Sequence, residues 1–405
     1  MKATGTRPGT RPGTRNVRLL GTAELVSFLG SRASDLAMPL LVLSLTGAAA
    51  QAGLVFGLGV LARALTAVPM GVLADRLPPR TALAAVESAR AVLVGVFAAT
   101  VWLDVASLWL ICVVTVADGT GGSLFRAAQT VAVKSSVPAE HLSSVLARLQ
   151  FPQFAATLAG PLVGGSLFAV SPALPFVLDC VSYLVSALCS LALTRPPGGR
   201  APVEAAATPL AGLRLVWRSA LLRTVLLWSA ATNAALGAVN VAVVVIAGRL
   251  GAGADDVGVM MSIGGCGGLI GVACSSYLAG RLSAPLIVRV VSWTVALVPL
   301  SFLLLGTTAA IGVALAVMFF ALAVGNVVLG TRRIESTPAH LQGSVEGASH
   351  LVASAVAPAG PAVVGWALDA AGPPLAMPIV TLIAGVAVLF TLSRTFTERL
   401  SRRDS

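Results

Sequence analysis

The chain has 405 residues, 57% of them hydrophobic and only 11% charged, with a mean hydropathy of +0.92. A soluble domain of this size carries more charge and a clearer amphipathic period, so that class is excluded. The formal net charge of +11 does not form one basic face; the charges punctuate apolar runs, and no nucleic-acid partner is expected.

Residues 1–19 contain TGTRPGTRPGTR, a tandem repeat without an apolar core or a signal-peptide pattern. This basic tail is expected to be disordered. Twelve apolar segments follow, near 20–45, 50–74, 82–102, 106–131, 144–169, 173–194, 221–247, 256–279, 284–305, 308–330, 346–368 and 374–393. About 20 residues at about 1.5 Å rise cross the hydrocarbon layer. Helices are expected, because lipid offers unpaired backbone groups no partner. The reading is an all-α, multi-pass membrane protein of twelve spans. Spans 1–6 (20–194) and 7–12 (221–393) form two six-helix bundles related by a pseudo-two-fold. The Pro/Gly/Ala-rich stretch 195–220 is expected to be the linker, and 394–405 a C-terminal tail.

Lysines and arginines orient the spans. With the N-terminus inside, 21 of the 27 fall in the tails, the inner loops and the inner ends of spans 7 and 9 (Arg223 and Arg289). Five lie deeper within spans (Arg32, Arg63, Arg90, Arg126 and Arg148), and Arg249 alone falls outside. That asymmetry places both termini in the cytoplasm. The five cysteines lie in apolar segments without paired spacing and the three histidines are scattered. No disulfide framework, metal site or cofactor is expected.

The two halves repeat. AGLVFGLGVLARALTAVPMGVLADRL (52–77) aligns without a gap to VGVMMSIGGCGGLIGVACSSYLAGRL (257–282), matching Gly53 to Gly258 and Arg76 to Arg281. At an offset of 200, Gly160-Pro161 pairs with Gly360-Pro361. Repeats in the same orientation suit a carrier whose site lies between the halves.

Charge inside a membrane is costly, roughly 2.5–3.5 kcal/mol per residue at mid-bilayer, and marks a task or a partner. The N-terminal half holds nearly all of it: Glu24, Arg32, Asp35, Arg63, Glu87, Arg90, Asp118, Arg126, Arg148 and Asp179. On span 1, Glu24 and Asp35 share a face, while Arg32 and Asp35, three apart, can touch. Arg63 is expected at a similar depth as a second partner. Asp118 has no obvious partner on its own helix. Glu87 and Arg90 are read as near the cytoplasmic end of span 3, and Asp179 as near the outer end of span 6. The C-terminal half offers mainly Asn233, Asn240 and Asn326. These asparagines and Arg63 are expected to line a substrate cavity.

Two motifs carry a family resemblance. GVLADRLPPR (71–80) resembles the loop 2–3 signature of the major facilitator superfamily in Gly71, Leu73, Asp75, Arg76 and Arg80, with Pro78 and Pro79 departing from it. AGPLVGG (159–165) is similar to the superfamily's antiporter signature in Gly160, Pro161, Gly164 and Gly165. The stretches 31–47, 175–188 and 336–361 resemble the drug:proton antiporter subgroup that includes macrolide exporters and the enterobactin exporter. Thr115 stands where the superfamily's span 4 arginine is expected, which puts the usual proton relay in doubt.

The resemblance implies alternating access and a monomer in the bacterial inner membrane. It implies export of a hydrophobic or amphipathic small molecule in exchange for protons, the proton gradient supplying the energy. It assigns Asp75 to a latch with Arg76 and Arg80, which Glu87 and Arg90 are placed to join. Asp35 and Asp118, with Arg32, Arg126 and Glu24, are the expected proton-coupling groups, since burial and neighbouring cations pull a carboxylate's proton affinity in opposite directions. A uniporter or importer on the same fold, and a transport-dead sensor or scaffold, are the alternatives. No nucleophile–base pair, metal motif or phosphate loop points to an enzyme.

Overall fold

The computed structural model describes residues 12–136, 139–194, 209–337 and 342–392, and these are almost wholly helical. Fourteen helices follow in order: α1 (Pro12–Thr46), α2 (Ala49–Arg76), α3 (Pro79–Trp102), α4 (Leu108–Ser136), α5 (Ala139–Val170), α6 (Leu174–Leu191) and α7 (Pro209–Arg218), then α8 (Ala220–Arg249), α9 (Ala254–Arg281), α10 (Ala284–Ser301), α11 (Thr308–Glu335), α12 (Gln342–Val356), α13 (Ala359–Ala371) and α14 (Pro373–Leu392). Ten are long and apolar enough to cross a membrane. Helix α5 and the pair α12–α13 complete the twelve spans.

The internal repeat reappears in the helix bounds. Helices α2 and α9 both have 28 residues, and Ala49–Arg76 maps onto Ala254–Arg281 at the offset of the gap-free alignment. Within the first bundle α1 packs on α5 and α6, α2 on α4, and α3 on α6. In the second, α9 packs on α11, α10 on α14, and α8 on α13 and α14. The bundles meet chiefly along α5 against α9 and α2 against α13.

Three features differ from the sequence reading. First, α1 begins at Pro12, so residues 12–19 are helical rather than part of a disordered tail. Asn16 fastens this end to the segment just after α6: its amide donates to the Thr194 carbonyl at 3.1 Å and its oxygen accepts from the Thr194 backbone at 3.1 Å. Second, the linker contains α7, whose Val216 is fully buried beside Leu222, Leu226 and Val345. Apolar residues at helical spacing order that stretch despite its Pro/Gly content. Third, the eleventh span is broken between Val356 and Ala359. Pro358 cannot donate to the helical ladder, and its ring clashes with the preceding turn.

The loop 71–80 is a two-residue hinge. Helix α2 ends at Arg76, Leu77 is extended, and Pro78 (φ −61°, ψ 128°) leads directly into Pro79, the first residue of α3. Proline's fixed φ suits that first helical position, where its missing N–H leaves no ladder bond unmade.

Candidate functional site

The charged residues of the first bundle converge in two linked groups around a small cavity lined by α1, α2, α3, α4 and α6. The first group is Asp35 between two arginines. Arg32 Nη1 lies 3.2 Å from one carboxylate oxygen and Arg63 Nη2 3.7 Å from the other. The i,i+3 spacing on α1 and the similar depth of Arg63 bring these three together as the sequence led one to expect. Arg63 also donates from Nε to the Gly59 carbonyl at 3.2 Å, which holds its guanidinium along α2.

The second group is centred on Arg90. Its Nε donates to Asp118 Oδ1 at 2.9 Å and its Nη2 to Oδ2 at 3.2 Å, a two-pronged pair across α3 and α4. Its Nη1 donates to Glu87 Oε1 at 3.0 Å. Tyr183 of α6 stacks under the guanidinium at 4.0 Å, accepts a bond from Arg90 Nη2 and donates to Asp118 Oδ1 at 3.0 Å. Ser31 of α1 links Tyr183 Oη at 2.9 Å to Asp179 Oδ1 at 3.4 Å. A guanidinium offers five donors in a fixed fork, which suits it to hold several acceptors at once.

This geometry corrects one expectation. Glu87 and Arg90 do not sit near the cytoplasmic end of α3 beside Asp75; they are buried and bonded to Asp118. The helix starts at Pro79, so Arg90 lies eleven residues, about 17 Å, into it. The guanidinium absent at Thr115 thus arrives from the neighbouring helix. Gly121 makes room for it, since a Cβ there would strike the Arg90 side chain.

Other expected residues stay apart from this centre. Glu24 is buried and accepts from Gln153 Nε2 of α5 at 2.7 Å, about three turns along α1 from Asp35. Arg126 is exposed and makes no ion pair among the described residues. Asp179, by contrast, is buried at the edge of the second group and lines the cavity, with Ser31 of α1 and Ser182 Oγ (3.3 Å) against its Oδ1. Asn233 and Asn240 spend their amides on the Ser229 and Leu236 carbonyls one turn back, at 2.8 and 3.0 Å. Asn326 is exposed on α11. None of the three asparagines lines the first-bundle cavity. Asp75, Arg76 and Arg80 are exposed around the α2–α3 hinge, and Gly71 lies one turn before Asp75. The side chain of Arg148 lies outside the described residues.

The Gly-Pro motif is a packing surface. A Cβ on Gly160 would strike Arg32, and one on Gly164 the Ala33 backbone, so these two seat α5 against α1. Gly165 faces Ala254 and Gly258 of α9, and Gly258 in turn faces the Pro161 carbonyl. The same motif therefore positions Arg32 and closes one bundle on the other. Tyr183 is the functional residue the sequence reading passed over. Its place one helical turn after Asp179 was the available signal.

The family model for the Major Facilitator Superfamily matches residues 20–361. The chain belongs to that superfamily. Solved structures share its architecture at low identity. The nucleoside transporter NupG aligns with a TM-score of 0.76 at 14% identity, covering 96% of this chain and 99% of its own. A bacterial homolog of the human lysosomal transporter Spinster, inward-facing and unoccupied, gives 0.73 at 14%, covering 98% of each chain. A bacterial homologue of the iron transporter ferroportin, in the inward-facing state, gives 0.71 at 15%, covering 94% and 99%. No curated protein sequence matches the chain. The superfamily member is thus a twelve-helix membrane transporter that works by alternating access, on a fold that does not in general host enzymes.

Proposed function

We propose that this transporter exports a hydrophobic or amphipathic small molecule from the bacterial cytoplasm, across the inner membrane, in exchange for protons. The observation that carries the reading is the asymmetry of the Arg90–Asp118 pair. The Asp118 side chain is 28% exposed toward the cavity, whereas Arg90 is 8% exposed behind it. Water in the cavity reaches the acid but not its counter-ion, so a proton can arrive at Asp118 and loosen its hold on Arg90 and Tyr183. Asp35 of α1, shared between Arg32 and Arg63, is a second carboxylate facing the cavity.

One proton moving down about 100 mV supplies about 2.3 kcal/mol, enough for a roughly fifty-fold gradient of a neutral substrate. Apolar walls such as Met38, Phe56 and Phe97 beside the charged groups suit an amphipathic guest. The bundles touch at the ends of α5, α9, α2 and α13 that the positive-inside asymmetry places outside, which supports an inward-facing state. Two of the solved neighbours are described in that state.

The test is accumulation of a fluorescent amphipathic drug in a pump-deficient host. Wild type is expected to lower accumulation, an uncoupler to restore it, and Asp118→Asn to abolish the effect. Efflux that survives unchanged in Asp118→Asn removes that residue from coupling. Indifference to the uncoupler removes proton exchange altogether. Uptake in intact cells, with none in inverted vesicles, overturns export in favour of an importer.

A further inference from the structure

The sequence leaves one arginine, Arg249, on the outer side, against an otherwise consistent asymmetry. The structure gives it a place. At the C-terminal end of α8 its Nη2 donates to the Leu368 carbonyl at 3.2 Å, in the last turn of α13. That carbonyl also accepts from the Gly372 backbone at 3.0 Å. Gly372 has φ of +74°, and the Arg249 guanidinium occupies the space where its Cβ would project. Both features fix the end of α13.

The next residue, Asp369, reaches across to the other bundle. Its Oδ1 accepts from the Ala49 backbone N–H and its Oδ2 from that of Ala50, each at 2.8 Å. These amides belong to the first turn of α2, which has no acid of its own and whose N-cap, Ala48, supplies no side-chain bond. A helix N-terminus leaves its first N–H groups unpaired and carries partial positive charge, so a carboxylate satisfies both needs. Below it the two helices run antiparallel in close contact. Gly365 meets Ala49 and Ala50, Gly53 meets the Pro361 backbone, and Gly57 meets Pro358.

We propose that Asp369, braced by Arg249 through the end of α13, is the positioning residue that latches the outer side of the transporter closed. The cap of α2 is supplied by the opposite bundle. When the outer ends part, Ala49 and Ala50 lose the carboxylate that caps them, so the inward-facing state is favoured while the contact lasts. The proposal rests on alternating access, and on no assignment of substrate or coupling ion.

The experiment measures distance between spin labels at Val170→Cys, on the outer end of α5, and Leu304→Cys, just beyond α10, both exposed. The full chain is used in lipid nanodiscs, with its five native cysteines replaced. The closed, shorter distance is expected to dominate with Asp369 intact. Asp369→Ala should raise the ratio of long to short distances by about tenfold, the loss of charge-assisted bonds to one carboxylate. Asp369→Asn, which keeps one acceptor oxygen, should fall between. Arg249→Gln should shift the ratio the same way, and it carries the test should Asp369→Ala fail to fold. A distance distribution unchanged in both Asp369→Ala and Arg249→Gln overturns the latch. Unchanged distances with normal efflux remove the latch and leave the export reading. Shifted distances in a chain that exports nothing do the reverse.

Discussion

Arg90 grips Asp118 through two parallel bonds, Nε to Oδ1 at 2.9 Å and Nη2 to Oδ2 at 3.2 Å, joining α3 to α4 inside the first bundle. The same guanidinium holds Glu87, so its loss strands two acids at once. Breaking a buried pair from one side typically costs about 3–5 kcal/mol. Arg90→Gln is therefore expected to lower the melting temperature in detergent by more than Asp118→Asn does. The double variant should recover part of the stability of Arg90→Gln without recovering transport. A double-variant cycle with no coupling energy would show that the two residues act independently.

Tyr183 tests the hydroxyl separately from the ring. In Tyr183→Phe the stack under Arg90 remains, but the bonds to Asp118, Arg90 and Ser31 go. Leaving Asp118 and Ser31 short of a partner costs about 1–3 kcal/mol. Transport per molecule is expected to fall at least about tenfold, with the folded fraction retained on size-exclusion chromatography. Wild-type efflux in Tyr183→Phe would reduce the hydroxyl to a packing role.

The Gly-Pro motif separates into two functions that substitution can distinguish. Gly164→Ala presses on the Ala33 backbone within one bundle, so its expected effect is lost stability. Gly165→Ala presses on Ala254 and Gly258 of the opposite bundle, so its expected effect is a wedged outer seam. Outward cysteine accessibility should rise in Gly165→Ala and stay low in Gly164→Ala, while the melting temperature falls more in Gly164→Ala. The reverse pattern would show that the motif's closing role lies elsewhere.

The fold and the Asp35 group were legible because their signals are local. Apolar runs of membrane length, the duplication and the i,i+3 spacing of Arg32 and Asp35 need no knowledge of tertiary contacts. Arg90 and Asp118 are 28 residues apart on different helices. Only the rotation and depth of α3 decide whether they meet, and a start at Pro79 rather than residue 82 moves that depth. The Asp369 contact is less legible still. It joins residues 320 positions apart, and its acceptor faces backbone amides that leave no trace in residue type. Helix α7 went unread because a ten-residue amphipathic turn is masked by the Pro/Gly-rich stretch around it.

The α2–α3 hinge supplies the last prediction. Asp75 stands in the final turn of α2, the inner end of the helix whose outer end Asp369 caps. Arg76 follows it, and Pro78 and Pro79 allow only a short, stiff passage into α3. An acid there contributes nothing to orientation, which arginines alone secure. It opposes the favourable placement of cations at a helix C-terminus, worth roughly 0.3–1 kcal/mol. Its expected use is in the cycle, when the inner ends of the bundles close. Asp75→Asn is expected to cut efflux about tenfold while membrane abundance and melting temperature stay at wild-type values. Quantitative immunoblotting of membranes beside the accumulation assay separates the two. Full efflux in Asp75→Asn would leave the hinge as an anchor whose arginines alone matter.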